Sequence, residues 1–413
     1  ILIAEIPTGN EPVSVRARNN HEAWVVNEVS DSVSIIDLTE MRVIASLSAA
    51  DEPADVHFVN GKAFVTCARN GIVRVFDAVT RSPLPSIPVQ GLYPTAMSSS
   101  ADGSKLYASF LLSGNRTTVL PADNSRSQPS PTNPALPAPP KTALIVSASD
   151  SRVNYQVLDH DVVEIDTQSM SVSRYLTDVG TNLFDHQVHP TTGELWVLHS
   201  DSLNTIAFEP NLKGHFSFHR LSRQPLSVNA SAIPFDLNPG VNYAAPGTAA
   251  IIENGLAQPT ALAIEPSGTH GWVAAFNSDR VAKVNLASGA IEQRINVRTG
   301  ADVSSSAMRG PRGLVLHPTQ PFLYVSHKFT QSVSVISTAN NTILSEVPIS
   351  SVNVIPESLR RGRGYLYDAR LSSHGTVSCA TCHLDADRDG LAWDLGDPGG
   401  SIITVKGSAL SAQ

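Results

Sequence analysis

The chain has 413 residues and a net charge of −8, with 16% charged and 41% hydrophobic residues, 28 prolines and 26 glycines. Its length exceeds that of one ordinary compact domain, which favours two or three units or one large repetitive unit. The many turn-forming residues favour an all-β architecture. The longest basic run, residues 360–363, is short, and no apolar stretch approaches the ~18 residues that cross a bilayer. Composition therefore supports neither a nucleic-acid partner nor a transmembrane segment.

A repeated pattern runs through most of the chain. Similar segments open at Pro12, Pro53, Pro94, Leu183, Pro259 and Pro311. The first three are spaced by 41 residues, and a period near 40 with strand-like segments is typical of β-propeller blades. The second strand of each repeat is led by an aromatic residue: Trp24, Phe64, Tyr107, Trp196, Trp272 and Tyr324. A large side chain at one fixed place is expected to wedge between neighbouring blades.

The opening residues, ILIAEIPTG, match the fourth strand of a repeat and nothing else. This orphan strand predicts a seventh blade, whose other strands either precede Ile1 or come from the segment after Pro348. Seven blades is the first expectation, and six or eight remain as alternatives. The repeats, seen in WVVNEVSDSVSIIDL and LYVSHKFTQSVSVIST, resemble the YVTN family of β-propellers. The resemblance covers residues 1–349 and implies the fold, but propellers host many activities.

Two insertions interrupt the repeats, at about residues 113–156 and 221–256. The first contains the Pro/Ser/Asn-rich stretch 119–142, which is typical of an extended surface loop. Residues 350–363 lose the repeat pattern and are interpreted as a linker to a C-terminal segment, 364–413.

Three histidines are candidates for a site on one face of the propeller. His199 and His327 lie three residues after the aromatic residue, where the second strand ends, and His186 lies near the start of a first strand. All three are expected at the same face, where their imidazoles could ligate a metal or donate a proton to a docked group. The alternative is that they are hydrogen-bonded turn histidines. His189 and His317, in the turns after strand one, are expected at the opposite face, in solvent-exposed turn roles.

The strongest chemical motif is Cys379-Ala380-Thr381-Cys382-His383. The C-x-x-C-H spacing lets two thiols bond the vinyl groups of one haem while the histidine ligates the iron. A redox dithiol or half of a zinc site are the alternatives, although no second cysteine pair completes a zinc cage. The third cysteine, Cys67, sits in an apolar run and is interpreted as a buried small hydrophobic residue.

The residues before this motif extend the signal. The stretch GYLYDARLSSHGTVSCATCH, residues 364–383, resembles the first haem segment of the bacterial di-haem cytochrome c peroxidases and MauG-type enzymes. Ahead of the cysteines it matches the pattern of that segment at Gly364, Leu366, Asp368, Arg370, Leu371, Ser372, Gly375 and Ser378.

The resemblance implies covalent haem, with Cys379 and Cys382 as thioether anchors and His383 as the proximal iron ligand. It also implies that residues 364–413 are the start of a peroxidase-like cytochrome domain, expected to be mainly irregular and helical. A haem docked on the propeller face could take a distal ligand, a proton donor or an electron path from His186, His199 or His327. The family has a second C-x-x-C-H further on, whereas these 413 residues contain one. This departure leaves peroxidase activity open.

An acidic loop follows at once. Asp385, Asp387 and Asp389, followed by Gly390, have the D-x-D-x-D-G order of a calcium loop. The glutamate of the twelfth position is replaced by Gly396. The alternative is a solvated acidic loop that hydrogen-bonds its own backbone.

Together these features predict an exported c-type haem protein, an oxidoreductase of the peroxidase or MauG-like class, with the propeller as docking or substrate platform. The first alternative is an electron-transfer cytochrome whose propeller binds a redox partner protein, and the second is an interaction propeller with an empty haem segment. Whether the chain is an enzyme stays open. Because haem is attached to C-x-x-C-H outside the bacterial cytoplasm, and because Ile1 is not methionine, we expect a periplasmic or cell-surface location.

Overall fold

Six four-stranded antiparallel sheets form the blades of a β-propeller in the computed structural model, which describes residues 3–121, 135, 144–350 and 355–395. The first three blades are β1–β4 (Pro12–Asn19, Glu22–Asn27, Ser32–Asp37, Arg42–Ser48), β5–β8 (Pro53–Val59, Lys62–Cys67, Ile72–Asp77, Pro83–Pro88), and β9, β10, β13 and β14 (Pro94–Ser99, Lys105–Phe110, Val162–Asp166, Ser171–Leu176). The other three are β15–β18 (Asn182–Val188, Leu195–Ser202, Ser217–Gln224, Ile233–Asp236), β19–β22 (Pro259–Ile264, His270–Ala275, Arg280–Asn285, Ile291–Asn296), and β23–β26 (Pro311–Leu316, Phe322–His327, Ser332–Ser337, Thr342–Pro348).

Short elements connect or follow the blades. A two-stranded hairpin, β11 (Thr117–Leu120) and β12 (Leu144–Ser147), is inserted in the third blade. The helices are α1 (Glu209–Leu212), α2 (Ala249–Asn254) and α3 (Glu357–Tyr367). Single 3-10 turns lie at Phe276–Ser278, Ser305–Ala307, Ala369–Leu371, Cys379–Thr381 and Leu384–Ala386. None of the described helices is long and apolar enough to span a membrane.

The aromatic residue of the second strand builds the cores between blades, as the repeats predict. Trp24 packs edge-on against Phe58 of the second blade, with ring centroids 5.3 Å apart. At the same place in the next four blades, the aromatic side chain also packs into a core shared with the following blade and is at most 3% exposed. Burial of one such side chain contributes roughly 2–3 kcal/mol, so the repeated aromatic residue is a main source of blade-to-blade stability.

The expected seventh blade is not present in the described residues, which form six blades. Residues 3–9, predicted as the outermost strand of that blade, form no strand. Their alternating apolar pattern is suited to a sheet edge, but alternation alone does not make a strand, because a strand also needs a neighbouring strand to complete its backbone ladder. The prediction of seven blades was therefore wrong for the described chain, and the alternative of six is the observed number.

The predicted insertions and linker differ in detail from the structure. Most of the Pro-rich stretch 119–142 lies outside the described residues. The second insertion does not begin at 221, because Ser217–Gln224 and Ile233–Asp236 are the third and fourth strands of the fourth blade. Helix α3 crosses the boundary expected between residues 363 and 364. The insertion was placed too early because His219, Arg220 and Arg223 interrupt the apolar alternation of the fourth blade's third strand.

The C-terminal segment, residues 355–395, lies against the propeller rather than forming a cytochrome-like helical domain of its own. Helix α3 packs beside the turn Ser305–Ala307 that follows the fifth blade. Further along, the carbonyl of Asp389 accepts a hydrogen bond from Asn182 of the fourth blade at 3.2 Å. The carbonyl of Ala392 accepts another from Asn204 at 3.2 Å. The segment therefore crosses from the fifth and sixth blades to the fourth.

Candidate functional site

The C-x-x-C-H motif occupies one tight turn. The Ser378 N–H donates to Thr381 Oγ1 at 2.9 Å, and the Thr381 N–H donates to the Ser378 carbonyl at 3.0 Å. The His383 N–H then donates to the Cys379 carbonyl at 3.1 Å. Both thiols, Cys379 and Cys382, are partly exposed and free of disulfides. The turn thus presents two thiols and an imidazole from five consecutive residues.

The imidazole of His383 is held in one tautomer. Its Nδ1 lies 3.1 Å from the carbonyl oxygen of Asp387, and because a carbonyl only accepts, Nδ1 must donate. The lone pair is then on Nε2, which has no hydrogen bond among the described residues, and the ring is exposed. A donor bond from one ring nitrogen to a carbonyl is the usual way a protein orients a histidine that ligates a metal through the other. Thiols and imidazole therefore fit covalent haem.

Burial raises the pKa of the Cys382 thiol well above its usual value, and the nearby Asp389 and Cys379 raise it further. Only one thiol of a C-x-x-C pair has to be the nucleophile, so the alternative of a redox dithiol stays open. A zinc site lacks ligands, because no group of three or more His, Cys, Asp or Glu side chains converges in the described ranges.

The residues that match the haem-family pattern dock the segment on the propeller. A Cβ on Gly364 would lie 1.9 Å from the Ser305 carbonyl oxygen, so only glycine permits this approach. The carboxylate of Asp368 is buried, accepts from the Ser305 hydroxyl at 2.8 Å and pairs with Arg370 at 2.7 Å. Gly375 has a φ of +69° and lies against the Ile252 carbonyl. Gly364, Asp368 and Gly375 therefore serve to pack the C-terminal segment against the propeller.

The three acidic residues of the calcium-like loop do not converge. Asp385 accepts from Arg312 at 2.6 Å and from Lys328 at 3.5 Å, both on the sixth blade. Asp389 accepts instead from the indole of Trp393 at 2.8 Å. Calcium binding stays a prediction, with competing cations already beside one of its carboxylates.

Two of the three candidate distal histidines are tied into their own blades. His199 Nε2 lies 2.7 Å from the Ser222 hydroxyl, and His327 Nε2 lies 2.8 Å from the Ser334 hydroxyl. Asn27 of the first blade bonds Ser34 at 3.0 Å in the same way. The position three residues after the aromatic thus links strands two and three of a blade. Both histidines are buried, and burial lowers the pKa of His327 to about 4.

His186 lies deeper than expected. It is the fifth residue of β15 and occupies the place that Val56, Met97 and Leu262 take in other blades, where the side chain packs on the preceding blade. Its Nε2 lies 3.3 Å from the Tyr107 carbonyl, and burial lowers the pKa of the imidazole to about 4. His186 is therefore an inter-blade core residue, and the expectation that it lies near the start of its strand, at the propeller face, was wrong.

Other sequence candidates take structural roles. His189 and His317 accept backbone N–H bonds within their turns, as expected, although His189 is buried rather than exposed. Cys67 is fully buried, and burial raises the pKa of its thiol, which confirms its reading as a small hydrophobic residue. Trp393 packs edge-on against Phe216 of the fourth blade, with centroids 6.0 Å apart.

A buried aromatic cluster was missed by sequence reasoning. His215 stacks on Tyr243 with ring centroids 3.4 Å apart, and His374 packs edge-on against the same tyrosine at 5.0 Å. His219 lies nearby, and burial lowers the pKa of both His215 and His219 to about 4. The cluster joins the fourth blade to the C-terminal segment. Its only sequence signal was His374, four residues before Ser378 in the haem-like stretch.

Comparisons with known proteins support the fold. No protein-family model matches the chain. A stretch of 110 residues is 31% identical to a 6-phosphogluconolactonase from Cronobacter sakazakii (strain ATCC BAA-894), covering 26% of this chain and 31% of that protein, so the match spans about a third of the relative's length. The solved structure of Kuenenia stuttgartiensis hydrazine synthase is similar with a TM-score of 0.56 and 18% identity, over 77% of this chain and 81% of that one.

The structure of streptogramin B lyase is similar with a TM-score of 0.50 and 11% identity, over 83% of this chain and 85% of that chain. At such identities the likeness shows the fold alone. The chain is therefore an all-β propeller protein. Any statement about its chemistry rests on its own residues.

Proposed function

We propose that the chain is an exported c-type haem protein, located in the periplasm or at the cell surface, in which Cys379 and Cys382 hold the haem and His383 ligates its iron. The observation that supports this most directly is the turn that presents both thiols beside an imidazole whose Nδ1 bonds the Asp387 carbonyl, leaving Nε2 for a metal. Bound haem would supply one-electron and oxygen chemistry, while the protein supplies orientation and electrostatics.

The class that the segment resembles suggests an oxidoreductase of the di-haem peroxidase or MauG-like kind. In this proposal the propeller is the platform on which the haem segment sits. The contacts of Gly364 and Asp368 with Ser305 support a fixed relation between the two parts, because a buried, hydrogen-bonded carboxylate is costly to expose without its partners. The reaction partner would be a redox protein or a small-molecule oxidant.

A second candidate is an electron-transfer cytochrome that transforms no substrate. It is favoured by the engagement of His199 with Ser222 and of His327 with Ser334, and by the burial of His186 between blades. Each of these side chains would have to break contacts in its blade to act as a proton donor at a haem. Electron transfer needs no such donor.

Haem attachment is tested by expression with a c-type haem maturation system in a bacterial periplasm. The wild-type chain should stain for haem on a denaturing gel and gain the mass of one haem. Cys379→Ala/Cys382→Ala should lose both signals, while Cys67→Ala keeps them because Cys67 is buried in the propeller. A wild-type chain without covalent haem would refute the proposal and favour an interaction propeller with an empty segment.

The two functions are distinguished by the coordination of the iron. A peroxidase-like centre should be high-spin or weakly ligated in at least one redox state and should react with hydrogen peroxide. An EPR and optical spectrum showing two strong protein ligands in every redox state would exclude that class. Electron transfer would then be the better description.

A further inference from the structure

Helix α3 presents charged side chains to the propeller in its first half. Four residues spaced by three or four positions share one side of the helix: Glu357, Arg360, Arg361 and Gly364. Gly364 lies so close to the propeller that a Cβ on it would be 1.9 Å from the Ser305 carbonyl oxygen, so this side faces the propeller. Leu359, in contrast, is 63% exposed. A helix that docked by apolar packing alone would place its leucine inward and its charges outward.

A cavity separates these charges from the propeller. Its volume is about 320 Å³, within the roughly 300–1,000 Å³ that ligand pockets occupy. On the propeller side, Met308 and Phe329 contribute an apolar wall, and both side chains are otherwise buried. Asp302 lines the same cavity, as do Arg360 and Arg361 from the helix. One small space therefore combines an apolar wall with groups of both charge signs.

Part of the charge around the cavity is already paired. Arg361 lies 3.6 Å from the carboxylate of Glu357, one turn earlier on the helix. The Nε of Arg309 lies 3.4 Å from the carboxylate of Glu346, and the same guanidinium donates to the Thr299 carbonyl at 2.7 Å. These two ion pairs need no ligand to balance them.

Two charged side chains of the lining are left over. Arg360 is half-buried, yet its guanidinium has no ion pair or hydrogen bond among the residues that the structure describes. Asp302 accepts from the N–H of Ser304 at 2.9 Å, and its carboxylate also forms no ion pair in the described ranges. A half-buried charge is costly without a partner, so a ligand that supplies the opposite charge to both groups would be bound favourably.

We propose that this cavity binds a small α-amino acid with an apolar side chain. Its carboxylate pairs with the guanidinium of Arg360, its ammonium group pairs with the carboxylate of Asp302, and its side chain lies on Met308 and Phe329. A guanidinium binds a carboxylate through two parallel hydrogen bonds, which fixes the orientation of the ligand. Because Asp302 and Arg360 line one small cavity, a single small molecule can reach both.

The mixed lining distinguishes this ligand class from a simple anion. Inorganic phosphate would match Arg360, but its charge would repel Asp302, and it would gain nothing from the apolar wall. The inference is also independent of haem, because none of the lining residues belongs to the C-x-x-C-H turn. Since one wall is the propeller and the other is α3, the ligand would tie the C-terminal segment to the propeller.

The first test measures binding to the full chain by isothermal titration calorimetry with three matched probes. L-phenylalanine carries both charges, 3-phenylpropionate lacks the ammonium group and phenethylamine lacks the carboxylate. L-phenylalanine should bind saturably with a Kd of about 1 mM or tighter, and the other two at least about tenfold more weakly, because each leaves one charged group unmatched. Absence of saturable binding of L-phenylalanine would overturn the proposal. Equal binding of either incomplete probe, or tighter binding of inorganic phosphate, would overturn it as well.

The second test locates the ligand in the unmodified chain by hydrogen–deuterium exchange. L-phenylalanine should slow amide exchange in peptides that cover residues 302–309 and 357–364, which form the two walls. Protection confined to other parts of the chain would place the ligand elsewhere and would refute this site.

The third test removes each charge in turn. Arg360→Ala and Asp302→Ala should each weaken the binding of L-phenylalanine at least about tenfold, through the loss of one charge-assisted contact. Leu359→Ala is the matched control, because Leu359 lies on the same helix but is exposed, and it should leave the affinity unchanged. A folded Arg360→Ala chain that binds L-phenylalanine as tightly as the wild type would contradict the proposal.

Discussion

Two equivalent valines provide a matched test of how the blades are held together. Val56→Ala removes two methyl groups from a fully buried side chain between the first and second blades. At about 0.8 kcal/mol per buried carbon plus a cavity term, the free energy of unfolding should fall by about 2 kcal/mol. Val15→Ala makes the same chemical change at the same blade position, but the side chain is 65% exposed. Its cost should stay within about 0.5 kcal/mol.

The assay is urea unfolding at neutral pH, followed by tryptophan fluorescence and by circular dichroism. Coincident transitions are required before a free energy is extracted, since large proteins often unfold through intermediates. Trp24 is a useful reporter because it packs beside Val56 in the same core. If Val15→Ala lowers the free energy of unfolding as much as Val56→Ala does, Val15 is covered in solution, and the 65% exposure of its side chain is wrong.

The remaining predictions concern single side chains. His186→Leu should make the protein more resistant to acid, because burial lowers the pKa of the imidazole from 6.5 to about 4. The wild-type chain therefore loses up to about 3 kcal/mol of unfolding free energy as the pH falls from about 6.5 to about 4, and the variant does not. Urea midpoints of both chains at pH 7 and pH 5 measure the difference. The same variant should leave the haem spectrum unchanged, and an altered spectrum would restore a distal role. His383→Ala should keep covalent haem but shift its optical spectrum through loss of an iron ligand, whereas an unchanged spectrum would show that another group ligates the iron. If the acidic loop binds calcium, millimolar Ca²⁺ should raise the melting temperature relative to EDTA by displacing Arg312 and Lys328 from Asp385; an unchanged melting temperature would refute the calcium loop.

Local patterns predicted the parts of this protein that depend on neighbours in sequence. The 41-residue spacing and the strand-two aromatics located the blades, because alternation along a strand decides which side chains meet the next sheet. The C-x-x-C-H run likewise specified its own turn, since five consecutive residues need no distant partner to bring two thiols and an imidazole together. Cys67 could be placed in the core from its apolar flanks.

Other expectations failed where distant contacts decide. His186 was placed near a propeller face because its distance from the strand end was judged from sequence, but the bulge between Leu183 and Asp185 and the packing on Tyr107 put it between blades. The cluster of His215, Tyr243 and His374 joins residues more than 150 positions apart, and no local pattern marks such a meeting. Its existence depends on where the C-terminal segment lies.

The sequence by itself determined the type of blade, the aromatic wedge and the candidate haem turn, because each follows from side-chain periodicity or spacing within a few residues. Only the tertiary structure decided the number of blades in the described chain, the place of the C-terminal segment and the exposure of Val15. Val15 and Val56 have the same local pattern, and they differ only in whether another sheet lies against them. Whether a side chain is buried depends on the sheet beside it, so the sequence of either strand alone cannot distinguish Val15 from Val56.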